Sequence, residues 1–174
     1  MTSLSTTKPE AGEYAPYYAR YVDLVPSGNI IETLRRQMTD TLTLLSSLTQ
    51  EQANHRYSPE KWSVKEIIGH LVDSERVFSY RALRFARNDR TPLPGFEQDG
   101  YVVNGGFDRR ELSDLAKEYE MVRGGSIKLF EGLDGEAWER RGMANESEVS
   151  VRALAWIIGG HELHHKEVIK SRYL

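Results

Sequence analysis

Three of the five histidines in this sequence fall in one short run, His161-Glu-Leu-His164-His165, and another, His70, stands far upstream. On an α-helix, residues four apart lie about one turn, roughly 6 Å, along the same face. Imidazoles at i and i+4 can therefore close on a shared cation, and His161 and His165 have that spacing. His164, next to His165, falls to one side. A catalytic divalent centre takes three protein ligands and keeps one position open for water or substrate. His70 is the expected third ligand, because Ile67, Ser74 and Val77 flank it at helical spacing, whereas His55 sits in a polar stretch. Three unpaired imidazoles in one core would cost about several kcal/mol in unmade hydrogen bonds, a cost that a metal removes. Three neutral imidazoles leave a divalent ion its full charge, so a bound water or thiol becomes a nucleophile at neutral pH.

Three carboxylates are candidates to accept a ligand ring N–H or to carry a proton: Asp73 and Glu66, three and four residues from His70, and Glu162. Glu75 falls elsewhere on the helical wheel and is expected to be exposed. The run also spells H-E-x-x-H, in which Glu162 would be the base of a metalloprotease. Such proteases take a third ligand from downstream, and only nine residues follow His165. Gly159–Gly160, just before the run, would let another helix or a ligand approach closely. Since ligand histidines must be neutral, metal affinity is expected to fall below about pH 6.5.

Four amphipathic helices must carry these groups. The first opens at Asn29, with Glu32 as capping-box partner, and repeats Ile31, Leu34, Met38, Leu42, Leu45 and Leu48. The second opens at Ser63, paired with Glu66, and runs to about residue 88. The third follows Asp108, with Glu111 as cap partner and Leu112, Leu115, Tyr119, Met121–Val122 and Ile127 inward; Gly124–Gly125 are expected to kink it or to mark close packing. The last is capped by Ser150 and runs to about residue 170. Residues 49–61 and 134–148 read as irregular, and the segment from Thr91 to Gly106 as a long connection able to cover a pocket. The expectation is a single all-α domain spanning 1–174, a four-helix bundle with an irregular N-terminal arm (1–28). Residues 1–13 read as a loose tail, and the tyrosine-rich stretch Glu13–Pro26 as an ordered arm packing its rings on the domain.

The chain has 174 residues, 39% apolar and 28% charged, with net charge −3. That is a globular composition able to bury a core. No basic stripe exists to neutralise phosphates, so no nucleic-acid partner is expected. No apolar run approaches the roughly 20 residues that span a bilayer, so no membrane partner is expected. The N-terminal residues lack the charged-then-apolar pattern of a signal peptide, which makes a cytoplasmic location the expectation. With no cysteine, thiolate ligands are excluded and any reacting thiol must be a cosubstrate.

Trp62-Ser-Val-Lys-Glu-Ile-Ile-Gly-His-Leu-Val-Asp-Ser-Glu75, Leu93-Pro-Gly-Phe96, and Trp156 followed by Gly160-His-Glu-Leu-His-His165 together resemble the DinB-like superfamily, also called DinB/YfiT-like metalloenzymes. The arm Tyr14–Pro26 is similar to the start of one branch. The resemblance implies an up-down-down-up four-helix bundle, with His70, His161 and His165 holding a divalent ion: zinc or nickel, with iron or manganese as alternatives. It also implies a homodimer, and a thiol-dependent S-transferase acting on a small-molecule thiol and an electrophilic acceptor. Two alternatives use the same ligands: a metal-dependent hydrolase of small amides or esters, and a non-catalytic metal-binding stress protein.

Overall fold

The computed structural model describes residues 6–174. In chain order the helices are α1 (Ala19–Val22), α2 (Ile30–Ser47), α3 (Gln50–Asn54), α4 (Val64–Ala86), α5 (Gln98–Gly105), α6 (Leu112–Glu131), α7 (Gly135–Glu139) and α8 (Val151–Arg172). A two-stranded hairpin, β1 (Arg141–Ala144) and β2 (Ser147–Ser150), precedes α8. The long helices α2, α4, α6 and α8 form the up-down-down-up bundle. α2 and α4 each pack on both α6 and α8. Because α4 and α6 run in the same direction, a short loop cannot join them, which is why the connection at 87–111 is long.

The helix starts follow local chemistry. Asn29 accepts from the Ile31 N–H at the head of α2, Ser63 and Glu66 form a full capping box on α4, and Ser150 accepts from Ala153 on α8. α6 differs from the expectation. It starts at Leu112 with Glu111 as a cap that makes no side-chain bond. Asp108 instead belongs to a 3-10 turn that follows Gly106 in the left-handed region (φ 62°).

Irregular structure expected at 134–148 is replaced by α7 and the hairpin. Asn145 and Glu146 both take positive φ in its two-residue turn, and no glycine advertises that turn in the sequence. Leu93 extends the hairpin: its N–H donates to the Met143 carbonyl and its carbonyl accepts from the Asn145 N–H. The other segment expected to be irregular holds α3, started by a Thr49–Gln52 capping box.

Gly124 and Gly125 do not interrupt α6, and a Cβ at either would meet nothing within 4 Å, so the expected kink and close packing are absent. Gly125→Ala is therefore expected to raise the stability by about 0.5–1 kcal/mol, through helix propensity and a less flexible unfolded chain. Urea unfolding checks it, and an unchanged or lower midpoint would contradict it.

The tail is also more ordered than expected: residues 1–5 lie outside the described residues, but Lys8 pairs with Asp23 at 2.8 Å and Ala11–Glu13 form a 3-10 turn. Glu13, where the arm begins, is buried, accepts from Ser150 Oγ at 2.7 Å and pairs with Arg152. That anchor fixes the arm. The core has two apolar clusters. On α8 the histidines fall between Ile158 of one and Ile169 of the other.

Candidate metal centre

The buried stripe of α4 runs Ile67, His70, Leu71, Ser74, Glu75 and Phe78, and that of α8 presents His161 and Glu162. His70 and His161 are almost fully buried, and His165 is half-buried at the edge of the pair. The Nε2 atom of His70 lies 3.0 Å from Nε2 of His161, and Nε2 of His165 lies 3.2 Å from that same atom. One ligand atom from each of the three falls within 4.8 Å of the others.

A neutral imidazole Nε2 carries either one proton or one lone pair. It can satisfy one such neighbour with a linear hydrogen bond but not two. Bonds of about 2.0–2.1 Å to a tetrahedral ion would hold nitrogens roughly 3.3 Å apart, close to the two separations from His161. The protonation state suits a ligand set. Burial pushes His70 down to about 4 and His165 down to about 3, and burial followed by the two neighbouring rings holds His161 well below the usual histidine range. All three are neutral donors at pH 7. The remaining histidines stand apart from this convergence. His164 packs against the rings of Tyr21 and His165, and His55 against Tyr173.

The three expected proton carriers are engaged elsewhere. Glu66 completes the α4 capping box and accepts from Arg56 at 2.8 Å. Asp73, raised mainly by burial, sits 3.6 Å from Arg76 and lines a separate shallow depression beside Tyr101 and Asn104. The group beside His70 Nδ1 is Ser74 Oγ at 3.4 Å rather than either carboxylate, and the Trp62 ring covers the imidazole at 4.8 Å.

Glu162 belongs to an ion network that the sequence reading did not foresee. Arg123 of α6 donates to Glu162 of α8 at 2.5 Å and to Glu75 of α4 at 2.8 Å, and Thr41 of α2 donates to Glu162. One cluster thus ties all four bundle helices together. Glu75, expected to be exposed, is 4% exposed, and Arg123 is 1% exposed. Burial opposes the Arg123 charge, but the two carboxylates outweigh it and raise the guanidinium well above its usual value.

The tyrosine arm reaches the same place from outside. A Cβ on Gly160 would sit 2.0 Å from the Tyr21 carbonyl oxygen, so glycine there admits the backbone of the arm. The Tyr21 ring then lies 5.2 Å from the His161 ring. Between arm, α4 and the long connection, a cavity of about 440 Å³ opens onto His161. Ser74 and Phe78 contribute from α4, Phe96 and Glu97 from the connection, and Asn145 from the hairpin turn; none of Glu66, Asp73 and Glu162 lines it. The arrangement joins three convergent neutral nitrogens to a cavity of small-molecule size.

The sequence profile of the DinB superfamily matches residues 33–169. A protein of Oceanobacillus iheyensis named "putative metal-dependent hydrolase" is 24% identical over 142 residues, covering 80% of this chain and 79% of the relative. The structure of YfiT from Bacillus subtilis, described as "a probable metal-dependent hydrolase with an unusual four-helix bundle topology", superposes with a TM-score of 0.69. It shares 14% identity and covers 95% of this chain and 94% of that one. That likeness shows the shared bundle.

Proposed function

The chain belongs to the DinB superfamily, and on that premise we propose that it is a metal-dependent enzyme acting on small molecules, most specifically a hydrolase of an amide or ester. The observation that carries the proposal is the meeting of the His70, His161 and His165 Nε2 atoms, with His161 lining an accessible cavity. The names of the Oceanobacillus relative and of YfiT support the hydrolytic reading over the others.

A divalent ion on this ligand set, zinc or nickel first, would polarise the substrate carbonyl and make a bound water acidic enough to attack near neutral pH. The protein's own part is positional. α4 and α8 hold the three rings, Trp62 and Tyr21 pack against two of them, and the aromatic walls limit water around the reacting group. Glu97 is the carboxylate that lines the cavity. Both its oxygens accept backbone N–H groups of α5, which hold it below the usual range and leave it a weak base.

The thiol-dependent S-transfer expected from the resemblance uses the same ligands and differs in needing a cosubstrate. Aryl esters and anilides, assayed with zinc or nickel restored and with or without a low-molecular-weight thiol, separate the two. Thiol-independent turnover is expected, with kcat/KM falling more than about 100-fold in His161→Ala, since loss of even an outer-shell partner costs 10–100-fold. Turnover unchanged in that variant would overturn the proposal, and turnover only with thiol would favour transfer.

A further inference from the structure

Three of the five aromatic side chains around the cavity, Tyr17, Tyr18 and Tyr21, come from the arm, and the other two are Phe78 and Phe96. The rings form a connected edge-to-face chain. Tyr17 meets Tyr18 at 5.3 Å, Tyr18 meets Phe78 at 6.1 Å, and Phe78 meets both Phe96 at 6.3 Å and His161 at 6.1 Å. Two cations hold these rings from their sides. Arg20 lies over Tyr17 and Tyr21 and donates to both hydroxyls, and Arg81 lies by Phe78 and Phe96 with its guanidinium on the Pro94 carbonyl. Such restraint keeps the walls in place without a ligand, so ordering them costs little when one binds.

The charge of the lining is as informative as its shape. Among the described residues, no lysine or arginine lines the cavity, and its polar positions are hydroxyls, amides, Glu97 and the neutral His161 imidazole. The one formal charge is negative and already taken up by the α5 N-terminus. In the metal-free chain an anionic body placed here would meet a carboxylate in the lining, while Arg20 and Arg81 stand behind the rings with their guanidiniums already engaged. A neutral planar body would exchange water for ring contact on several sides.

We propose that the cavity is a subsite for an uncharged, ring-bearing substrate, its planar apolar body held among Tyr18, Phe78 and Phe96 while the reacting carbonyl is directed at His161. The assignment to the reacting end rests on the hydrolase reading above. The assignment of the body rests on the walls alone. Tyr18 comes from the arm, ahead of residue 33 where the superfamily match begins, and Phe78 and Phe96 come from within the matched region.

The test uses probes that need no metal, so its failure and that of the metal reading are distinguishable. Benzamide, acetamide and benzoate are titrated into the metal-free full chain and followed by saturation-transfer and heteronuclear NMR. Benzamide is expected to bind about 10- to 100-fold more tightly than acetamide, the range expected for burying one ring face pair, and at least about 10-fold more tightly than benzoate. Resonances of Phe78, Phe96 and the arm should shift. Phe96→Ala should remove most of the benzamide preference, and Phe96→Leu, which keeps apolar volume without the ring, should restore part of it in a chain with an unchanged melting curve. Benzoate binding as tightly as benzamide, no benzamide binding, or a preference that survives Phe96→Ala and Tyr18→Ala would each overturn the proposal.

Discussion

Replacing Arg123 by alanine is expected to destabilise the protein by about 3–5 kcal/mol, the cost of leaving buried carboxylates without their cation. Arg123 and Glu162 are each 1% exposed and Glu75 is 4% exposed, so water cannot take over the lost hydrogen bonds. The guanidinium serves helices α4 and α8 at once, and Thr41 of α2 closes on the same carboxylate. Its loss therefore loosens the whole bundle rather than one contact. Urea unfolding measures the effect. In the background Glu75→Gln with Glu162→Gln, the same Arg123→Ala change should cost less, because no buried anion is left behind. A loss under about 1 kcal/mol in the parent chain would contradict the account, since exposed ion pairs give values of that size.

The second large effect links acidity, metal and stability. An unfolded imidazole takes a proton near 6.5, but burial holds folded His70 down at about 4 and His165 at about 3. Between those values the unfolded chain binds more protons, so acidification favours unfolding. The stability is complete above about pH 6.5 and falls as pH drops towards 4 and 3, by about 1.4 kcal/mol per group per pH unit. At pH 5 His70 alone should account for about 2 kcal/mol of lost stability in the metal-free protein. Replacing His70 with glutamine should flatten the profile; a profile equally steep in that variant would contradict the assignment.

Added zinc should oppose this loss, stabilising the fold by about 4 kcal/mol at a thousandfold excess over its dissociation constant. The expectation that metal affinity falls from pH 6.5 needs refinement. In the folded site, proton competition for His70 starts only near 4, and what falls from 6.5 is the fold that assembles the site.

The bundle was legible because its signals are local. Ser63 and Ser150 cap helices where serine at that position should, and His161 and His165 obey the i, i+4 rule. The ion network was hidden because charged side chains such as Arg123 and Glu75 are expected on the solvent face of a helix. Arg123 is four from Tyr119 and four from Ile127, and Glu75 is four from Leu71, all core positions. Met121, which the helical spacing places inward, is 70% exposed. On α2 the buried line is Ile30, Leu34, Gln37, Thr41 and Leu45. Its polar members reach α8, with Gln37 donating to the Gly159 carbonyl and Thr41 to Glu162. A polar residue three or four positions from core residues was the available sign.

The hairpin and the cavity could not be read the same way. The turn at Asn145–Glu146 holds two non-glycine residues at positive φ, which the pairing of β1 with β2 and with Leu93 enforces. The arm's place over His161 depends on Gly160 meeting the Tyr21 carbonyl, a long-range contact with no periodic trace. Gly159–Gly160 signalled that something approaches closely, but not what.

Metal content measured by mass spectrometry on dialysed protein, after loading with zinc, tests the central claim most directly. One ion per chain is expected in the parent and in His164→Ala and His55→Ala, with none retained by folded His70→Ala, His161→Ala or His165→Ala. Equal zinc in all of these chains, or none in the parent, would contradict the claim that three imidazoles from α4 and α8 hold a divalent ion.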